Sequence, residues 1–316
     1  VSGAAATSRP DPDTLILAQF EAGLPRGLAR AISRAEGGHG ARLMHALFER
    51  TGSALTVGLT GPPGVGKSTL CSALVTVARA AGKTVGVISV DPSSPFSHGA
   101  ILGDRIRLTE HFTDPDVFIR SMASRGHLGG LAGATGDAVA FMDAFGKGLV
   151  VIETVGVGQS EVEIAELADT TVLVLQPGSG DSVQLLKAGI LEVADIFVVN
   201  KSDHPMALQL RREIRAMLEM VESSGGWVPE LISTQASDGT GVAELWDAIL
   251  RHDAYLRESG ELAARRRDAL AHRVRALVIG RVEQDVEARI DSLLGSPAQR
   301  ARDPYELAAE IIAEVV

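Results

Sequence analysis

Gly61-Pro62-Pro63-Gly64-Val65-Gly66-Lys67-Ser68 is the stretch whose reading decides the fold. Its spacing fits G-x-x-x-x-G-K-[ST], and its flanks are those such a loop needs: residues 55–59 ahead of it read as a strand and 68–81 behind it as a helix. Glycines let backbone N–H groups turn inward around an anionic oxygen cluster. The N-terminus of the following helix adds its dipole to the same spot. Lys67 supplies a point charge for the β- and γ-phosphates of a nucleotide, Ser68 a hydroxyl for Mg²⁺, and Thr69 stands beside the α-phosphate.

Working outward, short β-rich runs alternate with helical stretches over 54–60, 84–90, 117–120, 149–153, 170–176, 195–200 and 230–234. Several are apolar throughout, which suits central strands covered on both faces in a mostly parallel α/β sheet flanked by helices. Ahead of the sheet, Leu15, Leu17, Phe20, Leu28, Ile32, Leu43 and Leu47 recur at helical spacing, with Gly37-Gly38 as a break; residues 1–10 are small and polar and read as disordered. Beyond Tyr255 no further strand is expected. Residues 262–294 read as one helix carrying Val274, Val278, Val282 and Val286 at i+4 steps, and Pro304 opens a last helix. The expected division is an N-terminal helical extension (1–53), a nucleotide-binding core (54–260) and a C-terminal helical arm (261–316). The valine stripe can fold back on its own domain or pair with a second chain. The run Arg265-Arg266-Arg267 reads as a solvated face or a site for an anionic partner.

Composition narrows the function classes. With 316 residues, 45% hydrophobic and 22% charged, the chain can bury a core and is not wholly disordered. A net charge of −10 argues against generic nucleic-acid binding, which needs a basic face to displace counterions. That excess lies entirely in 54–260, with 15 basic and 25 acidic residues, while the two ends together net to zero. The single cysteine, Cys71, excludes an intrachain disulfide and a cysteine-cluster metal site and fits a reducing compartment. The apolar runs are too short to span a bilayer, and no basic segment followed by a long apolar one opens the sequence. The expectation is a cytoplasmic protein with no membrane partner.

Asn200-Lys201-Ser202-Asp203 closes the run 195–200 and resembles the N-K-x-D guanine motif of P-loop GTPases. The Asp203 carboxylate can accept from both the ring N1–H and the exocyclic 2-amino group of guanine. Adenine lacks that donor pair and would leave the group badly paired, at a cost of about 1–3 kcal/mol. Asn200 would tie the base loop to the phosphate loop, and the Lys201 stem would stack on the base. Ser233 to Ser237 resembles the second base loop, with the Ala236 amide facing guanine O6 and Ser237 beside it. The apolar run ending at Glu153, with Gly156 three residues on, resembles the D-x-x-G element with Glu in the Asp position. Glu153 would hold Mg²⁺ directly or through water, the Gly156 amide would meet the γ-phosphate, and 154–160 would be a switch. Asp91 and Asp104 are candidate second carboxylates near the metal or the attacking water, or else helix caps or salt-bridge partners. Gln159 does not match the usual water-positioning spacing, and Arg105 and Arg107 are candidates for a catalytic arginine.

In order, GPPGVGKST (61–69), DPSSPFSHGAILGDR (91–105), ETVGVGQSE (153–161), QPGSGDSVQ (176–184) and NKSD (200–203) resemble the G3E group of P-loop GTPases, within it the MeaB/ArgK type, the methylmalonyl-CoA mutase-associated GTPases. The resemblance implies a P-loop NTPase fold with a C-terminal dimerisation arm. It also implies GTP/GDP and Mg²⁺ as cofactors, a homodimer, and low intrinsic hydrolysis stimulated by a partner. That partner would be an adenosylcobalamin-dependent acyl-CoA mutase, whose cofactor loading the GTPase gates and which it protects from inactivation. The loop 176–187 would report nucleotide state to it through Asp181 and Lys187; the alternative is an ordinary strand-to-helix loop capped by Asp181 or Ser182. Rival readings are nickel insertion, a small-molecule kinase related to amino-acid transport, and a GTP-dependent binding module. The eight scattered histidines weaken the first, and no acceptor-site motif supports the second.

Overall fold

The computed structural model describes residues 11–92, 104–124, 130–154, 166–178, 194–220, 226–294 and 302–315. Its centre is a seven-stranded parallel sheet. The strands are β1 (Leu55–Thr60), β2 (Val85–Pro92), β3 (Val117–Ser124), β4 (Leu149–Thr154), β5 (Thr170–Leu175), β6 (Ile196–Val199) and β7 (Glu230–Ser233), and their spatial order is β3-β2-β4-β1-β5-β6-β7. All seven coincide with runs expected from the sequence. β1 lies between β4 and β5, in register Gly58↔Ile152 and Gly58↔Thr171. The chain leaves β1 towards β2 on one side, while β5, β6 and β7 build outward on the other. Such a reversal opens a crevice at the carboxyl ends of the strands, where open α/β sheets bind ligands.

Alternating side chains feed cores on both faces. Val57, Leu59 and Val151 pack with Leu70, Leu74 and Val75 of helix α4 (Lys67–Ala80), and with Leu245 and Ile249 of helix α7 (Val242–Ser259). Val150 and Ile152 turn the other way, towards Phe141 and Met142 of helix α5 (Gly130–Ala144). That second face is closed by the N-terminal helices α1 (Pro12–Glu21), α2 (Pro25–Glu36) and α3 (Ala41–Leu47). They contribute Ile16, Phe20, Leu28, Ile32, Leu43 and Leu47 to the same cluster. Phe20 meets Phe145 edge to face at 5.0 Å. Leu173 and Phe197 pack on helix α6 (Ala207–Met220) through Leu210 and Ile214.

Helix α8 (Glu261–Leu294) starts at the amino ends of β5 and β6 and is followed by α9 (Pro304–Val315). Arg265 makes a two-pronged pair with Asp195, at 2.8 and 3.0 Å, and Arg266 one with Asp169, at 2.8 and 2.9 Å. Asp169 and Asp195 are buried residues directly ahead of those two strands. Arg266 also donates to the carbonyls of Gly52 and Ala54. Two of the three consecutive arginines are therefore pegs into the sheet, and only Arg267 stays well exposed, beside Asp268. The rest of α8 leaves Val274, Leu277, Val278 and Ile279 about half exposed. Among the described residues, no helix is long and apolar enough to cross a membrane.

Candidate functional site

The site forms where β1 ends and α4 begins. Gly61, Gly64 and Gly66 all have positive φ, at 140°, 77° and 96°. At Gly61 the requirement is steric as well: a Cβ there would stand 2.1 Å from the Val174 carbonyl oxygen of β5. The loop therefore lies flat against the neighbouring strand, which only glycine allows. The Lys67 ammonium is buried and donates to the carbonyls of Gly61 (2.5 Å) and Pro62 (2.9 Å), curling the side chain back over its own loop. Ser68, in the first turn of α4, donates its hydroxyl to Glu153 Oε1 at the end of β4. Glu153 is only 3% exposed. It is carried there by the parallel register of β1 with β4, which sets Leu59 beside Glu153.

Asn200 joins three loops. Its side-chain amide donates to the Val65 carbonyl at 2.8 Å, and its oxygen accepts from the Thr234 hydroxyl and the Ala236 amide, both at 3.1 Å. Gly66 is part of the same fit, since a Cβ on it would approach the Asn200 amide nitrogen to 2.6 Å. The tie expected from the sequence is present, and its second arm to Thr234 and Ala236 was not foreseen. Because the Ala236 N–H already donates to Asn200, a guanine O6 at that point would share the donor. Lys201 takes φ +56°, rare outside glycine. Its ammonium crosses the crevice to the Gly64 carbonyl and to Gln176, so its stem lies between phosphate loop and base loop. Asp203 is exposed, and Thr69, Ala236 and Ser237 line a cavity of about 450 Å³.

A buried serine hydroxyl and a buried carboxylate oxygen side by side are hard oxygen donors of the kind Mg²⁺ takes, so the residues present fit that ion. Asp91, two residues past Ser89, the register partner of Glu153, is the last residue but one of the neighbouring strand; for it and for Asp104 only the backbone is described. Gly156, Gln159, Asp181 and Lys187 lie outside the described residues, as do the side chains of Arg105 and Arg107. Cys71 is fully buried within α4; burial pushes its thiol well up, and the Glu153 charge adds to the shift.

Residues 28–291 match the family model described as methylmalonyl Co-A mutase-associated GTPase MeaB. The chain belongs to the MeaB family. A putative GTPase of Pyrococcus horikoshii is 48% identical over 276 residues, covering 85% of this chain and 87% of its own. The methylmalonic aciduria type A homolog of Mus musculus, a mitochondrial protein, is 39% identical over 214 residues, covering 66% of this chain and 52% of its own. Among solved structures, the crystal structure of a LAO/AO transport system kinase superposes with a TM-score of 0.70 over 99% of both chains at 24% identity, a likeness of fold. As a MeaB-family protein the chain is a P-loop GTPase, a class that binds GTP and GDP. Sequence reading missed Gln176 as the second anchor of Lys201 in this MeaB-family chain. It also missed the group of Ser72 and Glu110, which line the cavity, with His111 behind them, because three separate polar residues form no motif.

Proposed function

We propose that the chain is a GTP-hydrolysing metallochaperone that acts as a homodimer on an adenosylcobalamin-dependent acyl-CoA mutase, methylmalonyl-CoA mutase. In this reading it gates cofactor loading, protects the mutase from inactivation, and hydrolyses GTP slowly until the partner stimulates it. The observation that supports the nucleotide part is the Asn200 junction, which ties the strand end carrying N-K-x-D to the phosphate loop. The mutase part is supported by the description of the matching family, and the dimer by the apolar residues that α8 leaves exposed.

Gly61 to Ser68, with Thr69, cradle the phosphates, and Lys67 leaves its loop carbonyls to meet the β- and γ-oxygens. Ser68 and Glu153, joined by Asp91 and Asp104, would hold Mg²⁺, which when bound would supply positive charge against that developing on the phosphates. The Gly156 amide faces the γ-phosphate. Asp203 reads guanine, Lys201 stacks on it, and Ala236 and Ser237 close its edge. Catalysis is then positioning plus charge neutralisation. Asp181 and Lys187 carry the nucleotide state to the mutase. The test is phosphate release from GTP with and without a mutase. Stimulation by the mutase is expected for the native chain, and loss of turnover by at least about a hundredfold for Lys67→Ala or Ser68→Ala. Normal hydrolysis by either variant overturns the site assignment. Unchanged turnover with every adenosylcobalamin-dependent mutase tried overturns the partner.

A further inference from the structure

Glu110 lines the same cavity of about 450 Å³ as Thr69, Ala236 and Ser237. It belongs to a 3-10 turn, Asp104–His111, packed on α4. Its carboxylate is held from behind. Ser72, one helical turn past Ser68, donates its hydroxyl to Glu110 Oε1. The ring of His111 fixes that serine in turn, with Nε2 at 3.0 Å from the hydroxyl and 3.1 Å from the Ser72 carbonyl. Ser72 and His111 are buried, whereas the Glu110 side chain remains 65% exposed. The result is a carboxylate with one oxygen anchored through a buried serine and the group as a whole open to the cavity. An exposed glutamate ordinarily samples many rotamers; this one is pre-positioned, which removes entropy otherwise lost on binding.

What fills the cavity follows from connectivity, given the nucleotide reading on which this inference rests. The α-phosphate lies at Thr69 and the guanine edge at Ala236. The sugar links the two, so it must lie between them, in the cavity that Glu110 also lines. A ribose presents two adjacent hydroxyl donors there, and an ionised carboxylate is acceptor only. We propose that Glu110, held by Ser72 and His111, binds the ribose 2′- and 3′-hydroxyls and makes this site select ribonucleotides over deoxyribonucleotides. Hydrogen bonds to a charged acceptor are stronger than neutral ones. Loss of either hydroxyl would leave the anchored carboxylate partly unpaired.

The experiment is a titration of the full chain with GDP, 2′-deoxy-GDP and 3′-deoxy-GDP in Mg²⁺ buffer. The native chain is expected to bind GDP about tenfold or more tightly than either deoxy analogue. Glu110→Ala should lower GDP affinity by about that factor and leave the analogues nearly unchanged, so that the three converge. Ser72→Ala, which frees the carboxylate without removing it, should narrow the ratio, and Glu110→Gln should retain part of it. A native chain that binds all three equally, or a Glu110→Ala chain that weakens all three equally, overturns the ribose contact while guanine binding stands. A native chain that binds none of them overturns the nucleotide site as well.

Discussion

Asn200 is 2% exposed and satisfies three separate backbone or side-chain groups, so its removal strands a carbonyl, a hydroxyl and an amide at once. Each unpaired buried group costs about 1–3 kcal/mol, partly relieved by water. Asn200→Ala is therefore expected to lose about 2–4 kcal/mol in chemical denaturation and to weaken GDP binding. A variant as stable as the native chain would show that the tie is not structural. Cys71 makes a second residue-scale prediction. A fully buried thiol beside the Glu153 carboxylate stays protonated, so a maleimide should label it only after denaturant is added. Labelling of the native chain would mean that α4 opens. The types and spacing of Gly61 to Ser68 made this site legible without coordinates. The Ala236 amide was expected to face guanine, and its bond to Asn200 emerges only when strands β6 and β7 lie side by side.

At the scale of elements, the start of α8 is clamped to β5 and β6 by Arg265 and Arg266. Replacing either arginine by alanine takes from a buried aspartate one of its charged partners. A cost of about 1–2 kcal/mol each is expected, below that of a fully buried pair because water reaches both guanidinium groups. Asp195 adds a pH dependence. Burial pushes its carboxyl up, but the bonds and charges of His252 and Arg265 outweigh this and hold it below its ordinary range. A carboxyl lowered in the folded state contributes stability that is present above the unfolded-state value of about 3.9 and is lost as pH falls through the folded value. Asp195→Asn should therefore be less stable than the native chain at pH 7 and lose less stability on acidification below about pH 4. Parallel acid profiles for the two would sink the assignment. The helix itself was legible from its valine steps. That two of its three consecutive arginines point into the sheet was not, because a charge run looks the same whether solvated or pegged.

For the whole molecule, the question is what covers α8 beyond its clamp. Val278 is 56% exposed, with Val274, Leu277 and Ile279 near it, and one exposed stripe of this kind is what a second copy would bury. Light scattering at micromolar concentration is expected to give a dimer, and Val278→Glu to shift it towards monomer with GDP binding intact; a native monomer would remove the arm from the assembly. The sequence by itself determined the sheet, because parallel strands buried on both faces are largely apolar, and it singled out the candidate nucleotide site, because a phosphate loop needs glycines, a lysine and a serine at fixed spacing within one continuous segment. Only the tertiary structure decided how separate segments meet. It brought the N-terminal helices onto the α5 face, the α8 arginines onto Asp169 and Asp195, Asn200 onto Val65 and Ala236, and Glu110 onto Ser72. Each of these contacts joins residues far apart in the chain, so it depends on packing and register, which no local pattern of residue types encodes.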